Sequence, residues 1–384
     1  TPAACAAALG TALYWGVRLD AGTGIERGLS VLLIACPCAL GLATPLAVWE
    51  AIGAAARRGI VLRGGEVIER LAAVRSIFFD KTGTLTERQP RLVRVRPAGG
   101  FTEDEVLALA ASLEAVSRHP MALAIVRAAR ERGLPPGEAR RFRLVPGTGV
   151  EGEVALGDGA PRRVSVGGAV TSVVVDGRPA GTLEFEEDLR PGAPAALGAL
   201  RERGVEVAIL TGDRSASAKD VAHRLGVPAR TGLLPAGKVR AIAASERLSG
   251  PAGMVGAGLN HAPALARAGV SFALGCGDDL AQEAADVRLL RDDLQQIPWL
   301  VDLARRAVRV IRRNLFWAFA YNVVLVPLAI TGRLQPVLAA LAMIASSLFV
   351  VGNSVRLRRG PEEDARAWPD GLAAGRRAAA AEAR

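Results

Sequence analysis

Polar and apolar positions divide the chain into two regimes. Residues 29–49, LSVLLIACPCALGLATPLAVW, carry no charge over 21 positions. About 20 apolar residues suffice for a helix to cross the hydrocarbon core of a bilayer. Residues 3–19 form a shorter, alanine-rich run, and 315–332 and 334–352 form a pair divided by a turn at Gly332 and Arg333. This pattern predicts four membrane spans, the first incomplete. Gly and Pro inside such runs are tolerated where freed backbone groups find partners. Arginines orient the spans. Arg57, Arg58 and Arg63 follow the second run, Arg305, Arg306, Arg309, Arg312 and Arg313 precede the third, and Arg356, Arg358 and Arg359 follow the fourth. These clusters are expected in the cytoplasm, with 20–27 and 331–336 on the other side.

About 240 more polar residues separate the two pairs of spans. Short apolar runs at 75–79, 205–210, 252–256, 270–274 and 287–290 read as buried strands, with helical patterns at 215–225 and 237–246. Alternating strand and helix predicts a parallel sheet covered on both faces. Residues 102–180 break that rhythm. They open with Thr102 and Glu105 at capping-box spacing and continue as an α+β mixture. The expected organisation is therefore 1–58 as two membrane helices and 59–101 with 181–300 as an α/β body. An inserted domain follows at 102–180, two more membrane helices at 301–358, and a frayed or disordered tail at 359–384.

Composition agrees with a membrane protein bearing a soluble part. Half the residues are hydrophobic, mean hydropathy is +0.26 and net charge is +10. The basicity is almost all arginine, with Lys81, Lys219 and Lys238 the three lysines. Aromatics are 4% of residues, too few for a base-stacking groove, so no nucleic-acid partner is expected. Cys5, Cys36, Cys38 and Cys276 do not form a secreted disulfide framework. The chain opens on Thr1 with a cut-short apolar run and no basic n-region. It reads as part of a longer protein and not as a signal peptide.

The chemistry starts at FFDKTGTLTE, residues 78–87. An apolar strand runs out at Asp80, followed by Lys81, Thr82 and Gly83. Ligands of open parallel sheets bind at the carboxyl ends of strands. An Asp there, beside a cation, is placed to attack an electrophilic phosphorus. The same four residues also suit a plain capped turn. A second loop, GMVGAGLNHAPAL at 253–265, has the build of an active-site turn yet carries no carboxylate.

Asp80 to Thr86 resembles the signature of the P-type ATPases, and CPCALGLATP at 36–45 that of their heavy-metal branch, in the expected order and about forty residues apart. The likeness covers essentially the whole chain to Arg358. It implies a haloacid-dehalogenase-like phosphorylation domain with an inserted nucleotide-binding domain, and an aspartyl-phosphate on Asp80. Lys81 and Thr82 flank that residue. LTGDR would supply Thr211 to the phosphoryl group, with Gly212, and Asp213 to close the nucleotide domain. LPAGK would supply Lys238 to neutralise the phosphate. Glu114, His119, Gly147 and Gly149 correspond to nucleotide contacts, with Arg118 in place of an acid. Gly167-Gly168 stands where the family has Gly-Asn. Cys36 and Cys38 would face the bundle interior, with Pro37 kinking the helix. Together with Tyr321, Asn322, Met343 and Ser347 they resemble the copper-type site, since thiolate and thioether suit Cu(I).

The resemblance also implies ATP, Mg²⁺ and transported Cu⁺. It implies a monomeric integral protein of the bacterial inner membrane, its soluble domains cytoplasmic, with a copper chaperone as donor of the ion. The family's Gly-Asp-Gly-x-Asn-Asp loop corresponds to Gly256–His261. Asn260 remains, but Ala257 and His261 replace both acids, the first of which helps hold Mg²⁺. The family's Thr-Gly-Glu actuator loop has no match in the chain. Three readings result: ATP-driven Cu(I) export, a catalytically degenerate relative that binds metal or nucleotide without turnover, and a soluble haloacid-dehalogenase-type phosphatase. Four apolar spans and Cys-Pro-Cys argue against the last.

Overall fold

The computed structural model describes residues 2–359 other than 36–37, 118, 146–147, 158, 169–170, 214–215, 259–260 and 278. The tail predicted at 359–384 therefore lies almost wholly outside the described residues. The chain opens with α1 (Pro2–Arg18), α2 (Ala21–Ile34), α3 (Cys38–Arg57), β1 (Ile60–Leu62), α4 (Glu66–Ala72) and β2 (Ser76–Phe79). Next come β3 (Arg91–Pro97), α5 (Glu103–Glu114), α6 (Pro120–Glu131), β4 (Glu138–Val145), β5 (Gly149–Ala155), β6 (Arg162–Gly167), β7 (Ser172–Val175) and β8 (Arg178–Glu186). Then follow α7 (Ala193–Glu202), β9 (Glu206–Leu210), α8 (Ala216–Leu225), β10 (Ala229–Arg230), α9 (Pro235–Ser249), β11 (Ala252–Gly256), α10 (Ala262–Arg267) and β12 (Val270–Leu274). The last are α11 (Asp279–Ala284), β13 (Val287–Leu289), α12 (Gln296–Ile330) and α13 (Pro336–Val355). Two compact units result: Thr1–Phe78 with Ala195–Val207 and Val239–Arg384, and Phe79–Pro194 with Ala208–Lys238.

In the first unit, α1 and α2 pack through small residues. A Cβ on Gly24 would come within 2.5 Å of the Ala12 carbonyl oxygen, and one on Gly28 within 2.8 Å of the Ala12 Cβ. Glycines four apart on one face let two backbones approach this closely, the usual solution where lipid removes the hydrophobic drive between helices. Asp20 caps α2 by accepting the Thr23 N–H at 2.9 Å. Among the described residues, two helices are long and apolar enough to cross a membrane: α12, and α13 with its extension to Arg359. The predicted 29–49 span is shared between α2, which ends at Ile34, and α3, which begins at Cys38. Cys36 and Pro37, where the sequence predicts a kink, lie outside the described residues. Ala43 of α3, Ala318 of α12 and Val350 of α13 form a buried cluster with Tyr321 against it.

The five predicted strands appear at 76–79, 206–210, 252–256, 270–274 and 287–289. They belong to a seven-stranded sheet of order β1-β13-β12-β11-β2-β9-β10. The pairs β11–β12, β12–β13 and β9–β10 are parallel. All residues of β2, β11 and β12 are buried, as expected for strands covered on both faces. Strand β1, which the sequence pattern did not separate from the preceding helix, adds an antiparallel edge against β13.

The second unit carries a six-stranded antiparallel sheet of order β3-β8-β7-β6-β5-β4. It takes in Arg91–Pro97 and Arg178–Glu186, so it begins and ends outside 102–180. Leu107, Leu113 and Ile125 of α5 and α6 join Val154, Val164, Val173 and Leu183 of the sheet in one buried core. The capping box forms as the spacing predicts: Glu105 N–H donates to the Thr102 hydroxyl and Thr102 N–H to the Glu105 carboxylate.

Candidate phosphoryl-transfer and metal-binding sites

Strand β2 delivers Asp80 at its carboxyl end, where the carboxylate is 3% exposed. Lys238, at the first turn of α9, is also 3% exposed, and its Nζ donates to Asp80 Oδ1 at 2.6 Å. The two residues are 158 positions apart, and the fold makes them a buried ion pair. Taking both charges out of water is expensive, so the pair persists through close geometry. The turn after Asp80 is closed by one side chain. The Thr86 hydroxyl accepts the Gly83 N–H at 3.2 Å and donates to the Lys81 carbonyl. Gly83 has φ of +71°, a conformation glycine adopts without strain.

Lys81 turns inward and is 1% exposed. Its ammonium is held between Glu187 and Asp213, the latter at 2.7 Å. Burial alone would lower the Lys81 pKa. Hydrogen bonds to Asp213 and Glu187 outweigh that and hold it above the ordinary lysine range. Thr211 follows the last residue of β9 at 2% exposure, and its hydroxyl accepts the Asp213 N–H at 3.1 Å. That leaves the Thr211 O–H proton free for another acceptor. Gly212 is exposed in the same turn, and Thr82 on the loop at 81–86.

Sequence reasoning missed Glu187 and Arg190. Arg190 donates from Nε to the Thr84 carbonyl at 2.9 Å and from Nη2 to the Gly83 carbonyl at 2.8 Å, so it holds the turn after Asp80. The available signal was the dense charge of EEDLR just beyond a strand. Charge density alone does not separate a solvated face from a positioning cluster.

On α5, Glu114 is 8% exposed and its Oε2 finds no partner among the described residues. Burial pushes its carboxyl above the usual carboxylate range, and a hydrogen bond with Ser117 offsets this only in part. The folded state therefore holds the Glu114 proton more tightly than the unfolded chain does. This contribution to stability is complete below the ordinary glutamate pKa and declines as pH rises through the raised value. Glu114→Gln is expected to melt above wild type at pH 7, with the gap closing as pH falls below the usual carboxylate range. A melting series across pH checks this.

His119 is exposed and caps α6, its Nδ1 accepting the Met121 N–H at 3.3 Å. Gly149 faces Gly167 across β5 and β6. A Cβ on Gly149 would lie 2.1 Å from the Val166 carbonyl oxygen, so strand approach by itself demands glycine there. Gly147 and Arg118 lie outside the described residues.

His261 N–H donates to the Gly258 carbonyl at 3.0 Å, and a Cβ on Gly256 would meet the His261 Cβ at 3.2 Å. Ala257 is 4% exposed. Its methyl group offers no oxygen, and Asn260 lies outside the described residues. Mg²⁺ takes hard oxygen ligands in near-octahedral geometry. With alkyl at 257 and imidazole at 261, the donor set does not fit the ion as the family pattern would.

Of the expected metal ligands, Cys36 lies outside the described residues and Cys38 begins α3. Tyr321 and Asn322 stand on α12. The Tyr321 hydroxyl and Asn322 Oδ1 are buried without a partner among the described residues, while Asn322 Nδ2 donates to the Ala318 carbonyl. Met343 and Ser347 are half-buried and one turn apart on α13, on the stripe that ends at buried Val350.

The profile of the haloacid dehalogenase-like hydrolases matches residues 74–269. The chain is 43% identical over 363 residues to "Copper-transporting ATPase 1" of Rhizobium meliloti (strain 1021), covering 87% of this chain and 44% of that protein. It spans about half the length of the curated relatives it matches. It superposes on a zinc-transporting PIB-type ATPase in the E2.Pi state with a TM-score of 0.78 and 35% identity, covering 94% of this chain and 62% of that one. The catalytic domain of the CPx-ATPase CopB-B matches at TM-score 0.58 and 31% identity, over 64% of this chain and 96% of the domain. The chain belongs to the heavy-metal branch of the P-type ATPases.

Proposed function

We propose that this chain carries the metal-binding helices and catalytic domains of a pump that exports Cu(I) at the expense of ATP. The observation that carries this reading is the buried Asp80–Lys238 pair at the carboxyl end of β2. A carboxylate fixed beside an ammonium at the end of a buried strand suits in-line attack on a γ-phosphoryl group. Asp80 would act as nucleophile. Lys238 and Thr211 would stabilise charge on the transferred oxygens, where most of the catalysis of phosphoryl transfer originates. Lys81, gripped by Glu187 and Asp213, would couple the loop after Asp80 to the turn after Thr211. Glu114, His119, Gly147 and Gly149 would receive the nucleotide.

For the ion, Cys36, Cys38 and Met343 supply soft ligands, which favour Cu(I) over Zn(II). The oxygens of Tyr321 and Asn322, without partners among the described residues, and the position of Ser347 support a polar lining beside them. The copper named for the Rhizobium relative agrees with this choice, although a zinc-transporting pump shares the fold. Membrane location, cytoplasmic catalytic domains, a monomeric state and delivery by a copper chaperone belong to the same proposal.

A second reading rests on Ala257 and His261. The corresponding loop of the family holds two carboxylates, and neither remains. This favours a degenerate relative that binds Cu(I) and nucleotide with little turnover. Labelling of the full-length protein with ATP separates the two. Hydroxylamine-sensitive phosphoenzyme that vanishes in Asp80→Asn establishes the nucleophile, and its rate against a revertant of the loop decides competence. Cu(I) titration of Cys36→Ser tests the ion, with loss of tight binding expected. Unchanged Cu(I) affinity in that variant removes the Cys-Pro-Cys site from the proposal.

A further inference from the structure

Buried hydrogen bonds fix the register of α12 against α13. Asn314 Nδ2 donates to the Ser354 hydroxyl at 3.0 Å, and Asn353 Nδ2 donates to Asn314 Oδ1 at 2.6 Å. The two helices run antiparallel, so these bonds put Arg313, one residue before Asn314, and Arg356, two residues after Ser354, at nearly the same depth. Trp317 stands one turn from Arg313 toward the bilayer interior, and Phe349 stands two turns from Arg356 in the same direction. Positions four and seven apart share a helix face. The two rings meet edge-on with centroids 6.2 Å apart, and they are 51% and 43% exposed. Two guanidinium groups thus stand over one aromatic ledge, each on its own helix.

Both arginines are exposed, and neither side chain has a hydrogen-bond or ion-pair partner among the described residues. Their neighbours are engaged. Arg358 Nε pairs with Glu50 at 2.7 Å, and Arg305 Nη1 donates to the Arg203 carbonyl at 2.8 Å. No Asp or Glu occurs from 303 to 359, so neither helix supplies an acid to this end of the pair. The next acids in sequence, Glu362, Glu363 and Asp364, lie outside the described residues. Like charges at one depth repel, and an anion between them relieves the repulsion.

We propose that Arg313 and Arg356 together hold the headgroup of one anionic phospholipid, with an acyl chain against the Trp317–Phe349 ledge. Charge complementarity selects the head. Two unpaired guanidinium groups match a phosphate that keeps its net negative charge, whereas choline cancels that charge in a zwitterion. The exposed rings select a lipid over a free phosphate, because tryptophan at a membrane–water boundary sets its apolar body against acyl chains. The proposal rests on α12 and α13 crossing a bilayer, which the test reads separately.

The test uses the full-length protein in bilayers and reads Trp317 as the emission lost in Trp317→Phe. Phosphatidylglycerol or phosphatidylcholine, brominated on the acyl chains, serves as quencher at equal mole fraction. Quenching by both is expected, which reports the bilayer, with phosphatidylglycerol preferred at the site. Arg313→Gln and Arg356→Gln should each lower that preference about fivefold, the effect of one interfacial cation near an anionic surface. Both positions are exposed, so the variants are expected to fold. The double variant should be quenched equally by the two lipids, and millimolar inorganic phosphate at constant ionic strength should change nothing. Equal quenching in wild type, a preference kept in the double variant, or its loss to inorganic phosphate would overturn the proposal. So would a preference that emerges only in the triple variant Glu362→Gln, Glu363→Gln, Asp364→Asn, since the chain's own acidic segment would then be the occupant. No quenching by either lipid would remove the membrane reading and the proposal with it.

Discussion

Restoring both acids, with Ala257→Asp and His261→Asp together, is expected to raise the rate of phosphoenzyme formation by on the order of 10²–10³, the usual worth of one well-placed electrostatic stabiliser. The loop is prepared for the change in its backbone. His261 N–H still closes onto Gly258, and Gly277 still leaves room for the Ala257 backbone, since a Cβ there would approach the Ala257 carbonyl oxygen to 2.9 Å. The side chain at 257 is 4% exposed, so a new carboxylate enters a desolvated position. An isolated carboxylate there costs stability, and the revertant should melt lower in the absence of divalent cation and recover when Mg²⁺ is added. Quench-flow labelling with ATP, normalised to folded protein, measures the rate. Equal rates in wild type and revertant would show that the loop acids are dispensable and would end the degenerate reading.

The second large effect concerns the Asp80–Lys238 pair. Lys238→Ala leaves a carboxylate at 3% exposure without its ammonium, which typically costs about 3–5 kcal/mol. Asp80→Ala in the same background removes the stranded charge and should return most of that loss, because an apolar replacement of a whole buried pair is often neutral. Denaturant unfolding of the two single variants and the double variant gives the coupling directly. Additive losses would mean that the two residues are stabilised separately and that the ion pair is incidental. Both single variants should lose the phosphoenzyme, whatever their stability.

The strand ends bearing Asp80 and Thr211 were legible from sequence because a buried parallel strand is a local pattern: a short apolar run, then abruptly polar residues. The capping box at Thr102 and Glu105 was legible for the same reason. The grip on Lys81 was not. Glu187 and Asp213 lie 106 and 132 positions away, and no local rule brings them to one ammonium. Arg190 escaped notice likewise, since its partners are backbone carbonyls, which every residue possesses. At 29–49 the apolar run and Pro37 marked an apolar, kinked segment, while the residues at which α2 ends and α3 begins came only from the fold. The Gly24–Gly28 face was hidden because glycine reads as a breaker until the partner helix is seen against it.

One feature of composition acquires a practical use from the fold. Of the chain's three lysines, Lys81 and Lys238 are 1% and 3% exposed, and Lys219 is open to solvent on α8. An amine-reactive reagent should therefore mark Lys219 at once, while Lys81 and Lys238 react only as fast as the catalytic cluster comes apart. Peptide mapping of that slow acylation would clock the breathing of the site residue by residue, with no engineered label and no need for turnover.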